Sequence, residues 1–139
     1  MAGVYIHIPF CKQACHYCNF YFSTTFEKYR SELVAALVQE MKLKSLLFKG
    51  KEVETIYFGG GTPSLLIEEE FRTIFNGLKE SFKIGKVEEV TIEANPDDVT
   101  VENLAIWQSY GINRISLGVQ SFFEDDLEQM NRSHSSKQA

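Results

Sequence analysis

Short apolar runs alternate with longer segments of helical periodicity along the whole chain. The runs lie at residues 4–8, 53–58, 89–93 and 114–119, and each ends at Gly, Pro or polar residues. Their β-branched and aromatic composition and their length are typical of buried parallel strands. The pattern therefore predicts four strands separated by helices.

Apolar residues at helical spacing occupy the segments between these runs. Thr24 and Glu27 match a capping box at the start of the first helix, and Gly50 is its predicted stop. Asp98 or Thr100 is expected to cap the third helix, which should end at Gly111. A fourth helix is predicted over residues 123–130. The expected buried faces of the first three helices are Phe26, Tyr29, Leu33, Leu37 and Met41; Phe71, Ile74, Phe75, Leu78 and Phe82; and Leu104 and Trp107.

This order of elements predicts an α/β fold with a parallel sheet that curves like part of a (β/α) barrel. No repeat, low-complexity tract or linker interrupts the sequence, so residues 1–139 are expected to belong to one domain. Binding and catalytic residues of such folds collect at the carboxyl ends of the strands. Four strands of an unclosed barrel would leave two open edges, which predicts self-association.

Composition narrows the class of protein. The chain has 139 residues, 44% of them hydrophobic, and a net charge of -5, which argues against nucleic acid as its main partner. The first apolar run is too short and polar for a signal peptide or a membrane span. We therefore expect a cytoplasmic protein, where reducing conditions keep thiols available.

All three cysteines, Cys11, Cys15 and Cys18, lie within one stretch of eight residues. Thiolates at this spacing suit a soft metal site, either zinc or an iron-sulfur cluster. Zinc would need a fourth ligand, for which His16 and His7 are the candidates. A four-iron cluster would instead keep one iron open. A redox thiol set ranks lower, because the surrounding pattern is not thioredoxin-like.

The second run is followed by a glycine-rich segment, residues 59–64, with the sequence Gly-Gly-Gly-Thr-Pro-Ser. A tight turn needs only one glycine, whereas three let backbone groups approach a ligand closely. The segment lacks the Gly-Lys-Ser/Thr of a P-loop and the glycine spacing of a dinucleotide fingerprint. It therefore predicts a ligand cradle of another kind.

Polar side chains also follow the last two runs. Glu93 precedes Ala-Asn-Pro at the end of the third run, and Gln120 ends the fourth. Each has an ordinary alternative role, as a solvated carboxylate or a helix cap. Arg132 could simply complement a helix dipole. His7 is interpreted as an inward-facing histidine with satisfied hydrogen bonds and not as a catalytic group.

The cysteine spacing, with Tyr17 before the third thiol and the lead-in Tyr5-Ile-His-Ile-Pro-Phe, resembles the cluster loop of radical S-adenosylmethionine (SAM) proteins. Within them it is most similar to the branch of oxygen-independent coproporphyrinogen III oxidase and the haem chaperones (HemW-type). The resemblance implies that Cys11, Cys15 and Cys18 hold a 4Fe-4S cluster whose fourth iron binds SAM. The implied SAM contacts are Gly60, Gly61 and Thr62, which would bind the amino end of methionine, and Glu93, which would bind the ribose. Gln120 and Arg132 are further implied contacts of SAM. Tyr5 and Tyr17 are expected to lie against SAM or the cluster.

The resemblance covers this chain from end to end but only about the first third of a family member. The oxidases carry a further cysteine two residues after the third, where this chain has Phe20. That difference favours a haem chaperone, with the oxidase as the alternative and a zinc-binding interaction domain as a non-enzymatic one. The implied partners are porphyrin or haem, a flavodoxin- or ferredoxin-type reductant and haem-accepting proteins.

Overall fold

The structure, a computed structural model, describes residues 2–48 and 50–139. Strands and helices alternate as predicted, and all neighbouring strands are parallel in the order β1-β2-β3-β4. The strands are β1 (Gly3–Ile8), β2 (Glu52–Gly60), β3 (Lys83–Ala94) and β4 (Arg114–Leu117). The helices are α1 (Arg30–Lys44), α2 (Glu68–Ser81), α3 (Val101–Ser109) and α4 (Glu124–Gln129). The α/β fold expected from the sequence is confirmed.

The two faces of the sheet differ in polarity. Side chains such as Ile6, Phe58 and Ile92 are buried and join the helices in one core. The opposite face carries a polar row, because the register pairs Tyr5 with Tyr57 and Tyr57 with Thr91. Successive residues of a strand point to opposite faces. The core therefore lies on one face only, and the other face is polar.

The strand limits differ slightly from prediction. β3 begins at Lys83, earlier than expected, and β4 ends at Leu117. A register shift between Val53 and Thr55 marks an irregularity where β2 meets the early part of β3. The carboxyl ends of all four strands still meet at one edge of the sheet.

The predicted capping box at Thr24 and Glu27 is wrong. A 3-10 turn forms at Phe26–Lys28, and neither it nor α1 has a side-chain hydrogen bond at its N-terminal cap. The carboxylate that the box requires is engaged elsewhere, because Glu27 accepts a hydrogen bond from Arg30 at 2.9 Å. The helix continues past Lys44 as a 3-10 turn, and Gly50 follows with φ 78°.

The N-terminal cap of the third helix is Thr100, one of the two residues predicted. Thr100 accepts a hydrogen bond from the backbone N–H of Asn103 at 3.1 Å, and Gly111 follows the helix with φ 79°. Trp107 is buried at 2% exposure, but Leu104 is 40% exposed. The prediction that Leu104 is buried is wrong, because this side of the short helix is not covered by another element in the described part of the chain.

Among residues 2–48 and 50–139, no helix has the length and apolar character needed to cross a bilayer.

We predict that the open edge at β4 makes the chain self-associate. All four residues of β4 are exposed, with Ile115 and Leu117 at 40% and 42%. Ile115→Lys should reduce association, because a charge on an edge strand disfavours pairing with another chain. Sedimentation velocity over a wide concentration range measures this, with Gln108→Lys on the exposed surface of α3 as the charge-matched control. A wild-type chain that stays monomeric throughout would contradict the prediction.

Candidate functional site

A cavity of about 310 Å³ lies at the carboxyl ends of the strands. This volume is at the lower end of the range of small-molecule sites. Loops that follow all four strands contribute to it, and every site residue predicted from the sequence lines it except Tyr5. The lining includes Cys11, Cys15, Tyr17, Cys18, Phe20, Gly60, Gly61, Thr62, Glu93, Asn95, Ser116, Gly118, Gln120 and Arg132.

The cysteine loop, defined as residues 11–18, forms one wall of the cavity. Its three thiols are free and partly buried. Burial raises the pKa of Cys11, and the neighbouring thiols act in the same direction, although Thr62 donates a weak hydrogen bond to its Sγ at 3.7 Å. Across residues 2–48 and 50–139, no three Cys, His, Asp or Glu side chains are already arranged around a metal-sized space.

The glycine loop, residues 59–64, lies directly against the cysteine loop. The backbone N–H of Gly61 donates to the carbonyl of Ile8 at 2.8 Å. A Cβ atom on Gly61 would lie 2.6 Å from the Phe10 carbonyl oxygen and 2.9 Å from the Cys11 sulfur. Only a residue without a side chain allows this approach. Gly61 is therefore required by the spacing of the two loops.

Gly60 has its own conformational reason. Its φ of 116° lies in the region that glycine alone adopts readily, and a Cβ atom there would meet the His7 ring at 2.7 Å. His7 is itself held by polar contacts, with Nδ1 3.0 Å from the Tyr5 hydroxyl and Nε2 3.3 Å from the Tyr21 carbonyl oxygen. This agrees with the interpretation of His7 as a satisfied, inward-facing side chain.

Glu93 is held in place by two donors. The Tyr57 hydroxyl donates to Oε1 at 2.7 Å, and the Gly60 backbone N–H donates to Oε2 at 3.1 Å. The hydrogen bond to Glu93 and burial raise the pKa of Tyr57. Because a carboxylate has about four acceptor positions, two remain for a ligand. Glu93 is thus a fixed acceptor at the cavity and not a freely solvated side chain.

Arg132 spans the cavity from its far side. Its Nη2 donates to Asn95 Oδ1 at 2.6 Å and to the Gly118 carbonyl at 2.8 Å. Its Nη1 lies 3.3 Å from Cys15 Sγ and 3.2 Å from the Tyr17 hydroxyl. Its Nε is buried without a hydrogen-bond partner in the described part of the chain. These contacts argue against a role confined to the helix dipole.

Gln120 lies in a tight turn after β4. Its φ of 66° is left-handed, which is uncommon for a residue with a side chain. The turn is held from a later segment, because His134 Nε2 lies 3.0 Å from the Val119 carbonyl oxygen. Ser121 also donates to Asp126 at 2.7 Å. The surrounding contacts thus maintain a conformation that places Gln120 at the cavity.

Lys12 is a site residue that sequence reasoning missed. It forms ion pairs with Asp97, at 2.8 Å, and with Asp98. Ser64 donates to Asp98 at 2.6 Å, and Ser133 donates to Asp97 at 3.1 Å. Opposite charges at two strand ends were the only available signal in the sequence. The network connects the cysteine loop, the glycine loop and the turn after β3.

The charges of this network shift the pKa values of its members. Burial acts to lower the pKa of Lys12, but hydrogen bonds to Asp97 and Asp98 outweigh it, so the value is raised. Burial acts to raise the pKa of Asp97, but Lys12 and Ser133 outweigh it, so the value is lowered. Both shifts favour the charged forms, which indicates that the ion pairs stabilise the fold.

Arg30 supports both loops from the helical side. It donates to both carboxylate oxygens of Glu70, at 2.7 and 2.8 Å, and to the Leu65 carbonyl at 2.7 Å. The hydrogen bond to Glu70 raises the pKa of Arg30. Its guanidinium lies 5.2 Å from the ring centroids of Phe10 and Phe26. Phe10 precedes the cysteine loop and Leu65 follows the glycine loop, so one side chain contacts the ends of both.

Tyr5 lies outside the cavity. The residue is 57% exposed, and its ring centroid lies 6.0 Å from that of Tyr57. Burial, followed by the charge of Glu93, raises the pKa of Tyr5. The structure therefore places it on the polar face of the sheet, behind Glu93, and not among the residues around the thiols.

The family model described as the Radical SAM superfamily matches residues 5–139. The chain belongs to the radical SAM superfamily. Heme chaperone HemW of Bacillus subtilis (strain 168) is 40% identical, and that of Escherichia coli (strain K12) is 38% identical. Both matches cover 99% of this chain and 36% of the relative. The chain thus spans about a third of the length of these relatives.

Two solved structures are similar to the chain as well. Coproporphyrinogen III oxidase (HemN) from Escherichia coli, described as a radical SAM enzyme, has a TM-score of 0.85 and 30% identity. That match covers 96% of this chain and 31% of the other. The archaeal Methanocaldococcus infernus Elp3 has a TM-score of 0.60 at 16% identity and covers 79% of this chain and 31% of the other. The second likeness concerns the fold alone, and the first supports the partial-barrel architecture.

We predict that Lys12→Met lowers the free energy of unfolding by about 1–3 kcal/mol at pH 7, because two largely buried carboxylates lose their cation. The folded-state pKa of Asp97 is lowered, so its contribution is present above the unfolded value of about 3.9 and is lost as the pH falls through the folded value. The difference between wild type and variant should therefore narrow near pH 3.

Urea unfolding of the metal-free chain, followed by circular dichroism at both pH values, measures this difference. Lys44→Met is the matched control, since it breaks an exposed pair with Glu40 and should cost about 0.5 kcal/mol or less. A Lys12→Met effect no larger than this control, or one independent of pH, would show that the network does not stabilise the fold.

Proposed function

We propose that this chain is the cofactor-binding portion of a haem chaperone of the radical SAM superfamily. In this proposal Cys11, Cys15 and Cys18 hold a 4Fe-4S cluster, and the cavity binds SAM. The observation that carries it is that the three thiols, the glycine loop and the polar strand-end groups all line one cavity.

The donor set fits an iron-sulfur cluster. Three thiolates from one loop are the ligands that such clusters use, and they leave one iron open. A zinc site would need a fourth ligand. Both His7 nitrogens have partners, and His16, whose Nδ1 lies 2.8 Å from the Gln129 carbonyl oxygen, is not among the residues that line the cavity with the thiols. The arrangement therefore supports the cluster over zinc.

The other cavity residues suit the parts of SAM. Glu93 has two free acceptor positions for the ribose hydroxyls. Backbone groups of Gly60 and Gly61, with the Thr62 hydroxyl, are available for the amino end of methionine. The Arg132 guanidinium, whose Nη1 reaches toward Cys15 and Tyr17, supplies a positive charge for the methionine carboxylate, and Gln120 adds an amide at the rim.

The chemistry itself would come from the cofactors. A bound cluster supplies an electron for the reductive cleavage of SAM. The chain's own residues orient and enclose the ligand. Glu93 and Arg132 fix its two ends, and Tyr17 covers the thiols beside Arg132. A loop held by Lys12 and Arg30 limits the access of water. The reductant is proposed to be a flavodoxin- or ferredoxin-type protein.

A chaperone role is favoured over oxidase activity by one position. Phe20 lines the cavity where the resemblance gives the oxidases a further cysteine. Relatives bearing the chaperone name match at 40% and 38% identity, compared with 30% for the oxidase structure. We therefore propose haem and haem-accepting proteins as partners, with decarboxylation of coproporphyrinogen III as the second candidate. In this proposal Tyr5 is a neighbour of Glu93 and not a direct contact of SAM.

The experiment is anaerobic reconstitution with iron and sulfide, followed by metal analysis and low-temperature EPR of the reduced protein. We predict about four irons per chain and a signal that shifts when SAM is added, because an open iron is accessible to the ligand. Cys15→Ser should abolish the shift and most iron uptake. Stoichiometric zinc with no iron uptake would contradict the proposal.

A second experiment distinguishes the chaperone function from the oxidase function. It uses a longer protein that also contains the region found beyond this segment in the relatives, and it adds either haem or coproporphyrinogen III. Haem titration should give a saturable change in the Soret absorbance. Coproporphyrinogen III, SAM and reductant should give no decarboxylated porphyrin by liquid chromatography. Product formation would instead establish the oxidase alternative.

We predict that Tyr57→Phe weakens SAM binding to the cluster-loaded protein about five-fold, because Glu93 loses a donor worth about 1 kcal/mol and its orientation. The variant should bind an analogue that lacks the ribose hydroxyls as wild type does. Anaerobic calorimetry measures both affinities. Tyr110→Phe, which loses a remote bond to the Glu68 carbonyl, is the matched control. Equal weakening for both ligands would contradict the role assigned to Tyr57.

A further inference from the structure

The segment of residues 129–132, at the end of α4, contacts the middle of the cysteine loop through its backbone carbonyls. The backbone N–H of His16 donates to the Met130 carbonyl at 3.1 Å. The His16 ring Nδ1 lies 2.8 Å from the Gln129 carbonyl oxygen. One histidine is thus bound twice by two consecutive carbonyl groups of a segment far away in the sequence.

Asn131 makes the reciprocal pair at the centre of this contact. Its side-chain Nδ2 donates to the Ala14 carbonyl at 2.7 Å. In return, the Gln13 side-chain Nε2 donates to the Asn131 carbonyl at 2.8 Å. Asn131 has a left-handed φ of 54°, a conformation that asparagine tolerates better than most residues. Both its backbone and its side chain are therefore used to hold the loop.

The ends of the cysteine loop are held differently. The backbone N–H of Cys11 donates to the Ser23 carbonyl at 3.0 Å, and that of Cys18 donates to the Cys15 carbonyl at 3.1 Å. These bonds are local and do not determine where the middle of the loop lies relative to the other strand ends. Lys12 ties the start of the loop to Asp97 and Asp98, and the contact with residues 129–132 places its middle.

The same segment also reaches the opposite wall of the cavity. Arg132, the next residue, binds Asn95 and Gly118 through Nη2 and approaches Cys15 through Nη1. The conformation of Asn131 therefore sets how far the guanidinium lies from the thiol. A change at Asn131 should alter the loop without removing any residue that lines the cavity.

We propose that Asn131 is a positioning residue that fixes the cysteine loop against the Arg132 side of the cavity. The amide bond to Ala14 and the left-handed backbone carry this role together. The relevance of the position to cofactor binding rests on the function proposed above. The positioning itself concerns the metal-free chain.

Two variants separate the contributions of Asn131. Asn131→Gly keeps the left-handed backbone accessible but deletes the amide. Asn131→Asp keeps the shape but replaces the donor that faces the Ala14 carbonyl with an acceptor. The matched control is Asn113→Asp, which removes a donor to the Glu88 carbonyl, 3.0 Å away, before β4. The control retains its acceptor toward the Val90 N–H.

Hydrogen exchange measured by mass spectrometry on the reduced, metal-free full chain tests the proposal. Exchange in the cysteine loop, including the His16 amide, should rise about five-fold or more in both Asn131 variants, because loss of a hydrogen bond favours local opening. Alkylation of Cys15 by iodoacetamide should accelerate in parallel. Asn113→Asp should change exchange only around residues 88–90 and 113.

Unchanged exchange and alkylation in the cysteine loop would overturn the proposal. A uniform rise across all helices and strands would also overturn it, because that result indicates general destabilisation and not local positioning. Neither readout requires iron or SAM. Failure of reconstitution would therefore remove the proposed function without affecting this test, and the reverse also holds.

Discussion

The site depends on the close approach of two backbone segments, the cysteine loop and the glycine loop. Parallel pairing places Ile8 beside Gly60, and the Gly61 N–H completes the contact with the Ile8 carbonyl. The absence of a side chain at Gly61 sets the separation, since a methyl group would overlap Phe10 and Cys11. The Cys11 thiol and the Thr62 hydroxyl, 3.7 Å apart, lie next to this contact.

Three cations then hold loops that the sheet alone would leave independent. Lys12 links the cysteine loop to the turn after β3, Arg30 supports the loops from the helices, and Arg132 spans the opposite wall. Arg30 and Arg132 are partly buried, and Lys12 is exposed but pairs with carboxylates that are largely buried. Removing one partner therefore costs more than it would in a fully exposed pair. The net charge of the chain is -5, and it gives no indication that three cations lie at the edge of the sheet that carries the site.

The periodicity of the sequence was sufficient to predict the four strands and the edge at which the site lies, because strand ends of a parallel sheet converge. It was insufficient where the contacts of a residue depend on partners that are distant in the sequence. Lys12 and Asp97 are 85 residues apart, and no local pattern pairs them. Glu27 fits a capping box locally, yet Arg30 engages it. Leu104 fits the helical stripe, but whether it is covered depends on neighbouring elements. Tyr5 fits the motif and shares the polar face of the sheet with Tyr57, but it does not line the cavity.

The anchoring of the cysteine loop by Asn131 has a consequence for the order of events during synthesis. Ala14 and its partner are separated by 117 residues. At about 5–20 residues per second, a ribosome needs about 6–23 s to extend the chain from one to the other. During that interval the thiols have left the ribosome, or are leaving it, without the segment that orders them. The Asn131 contact with the cysteine loop can therefore form only after α4 has emerged, and the nascent thiols are exposed to oxidation and to metals until then.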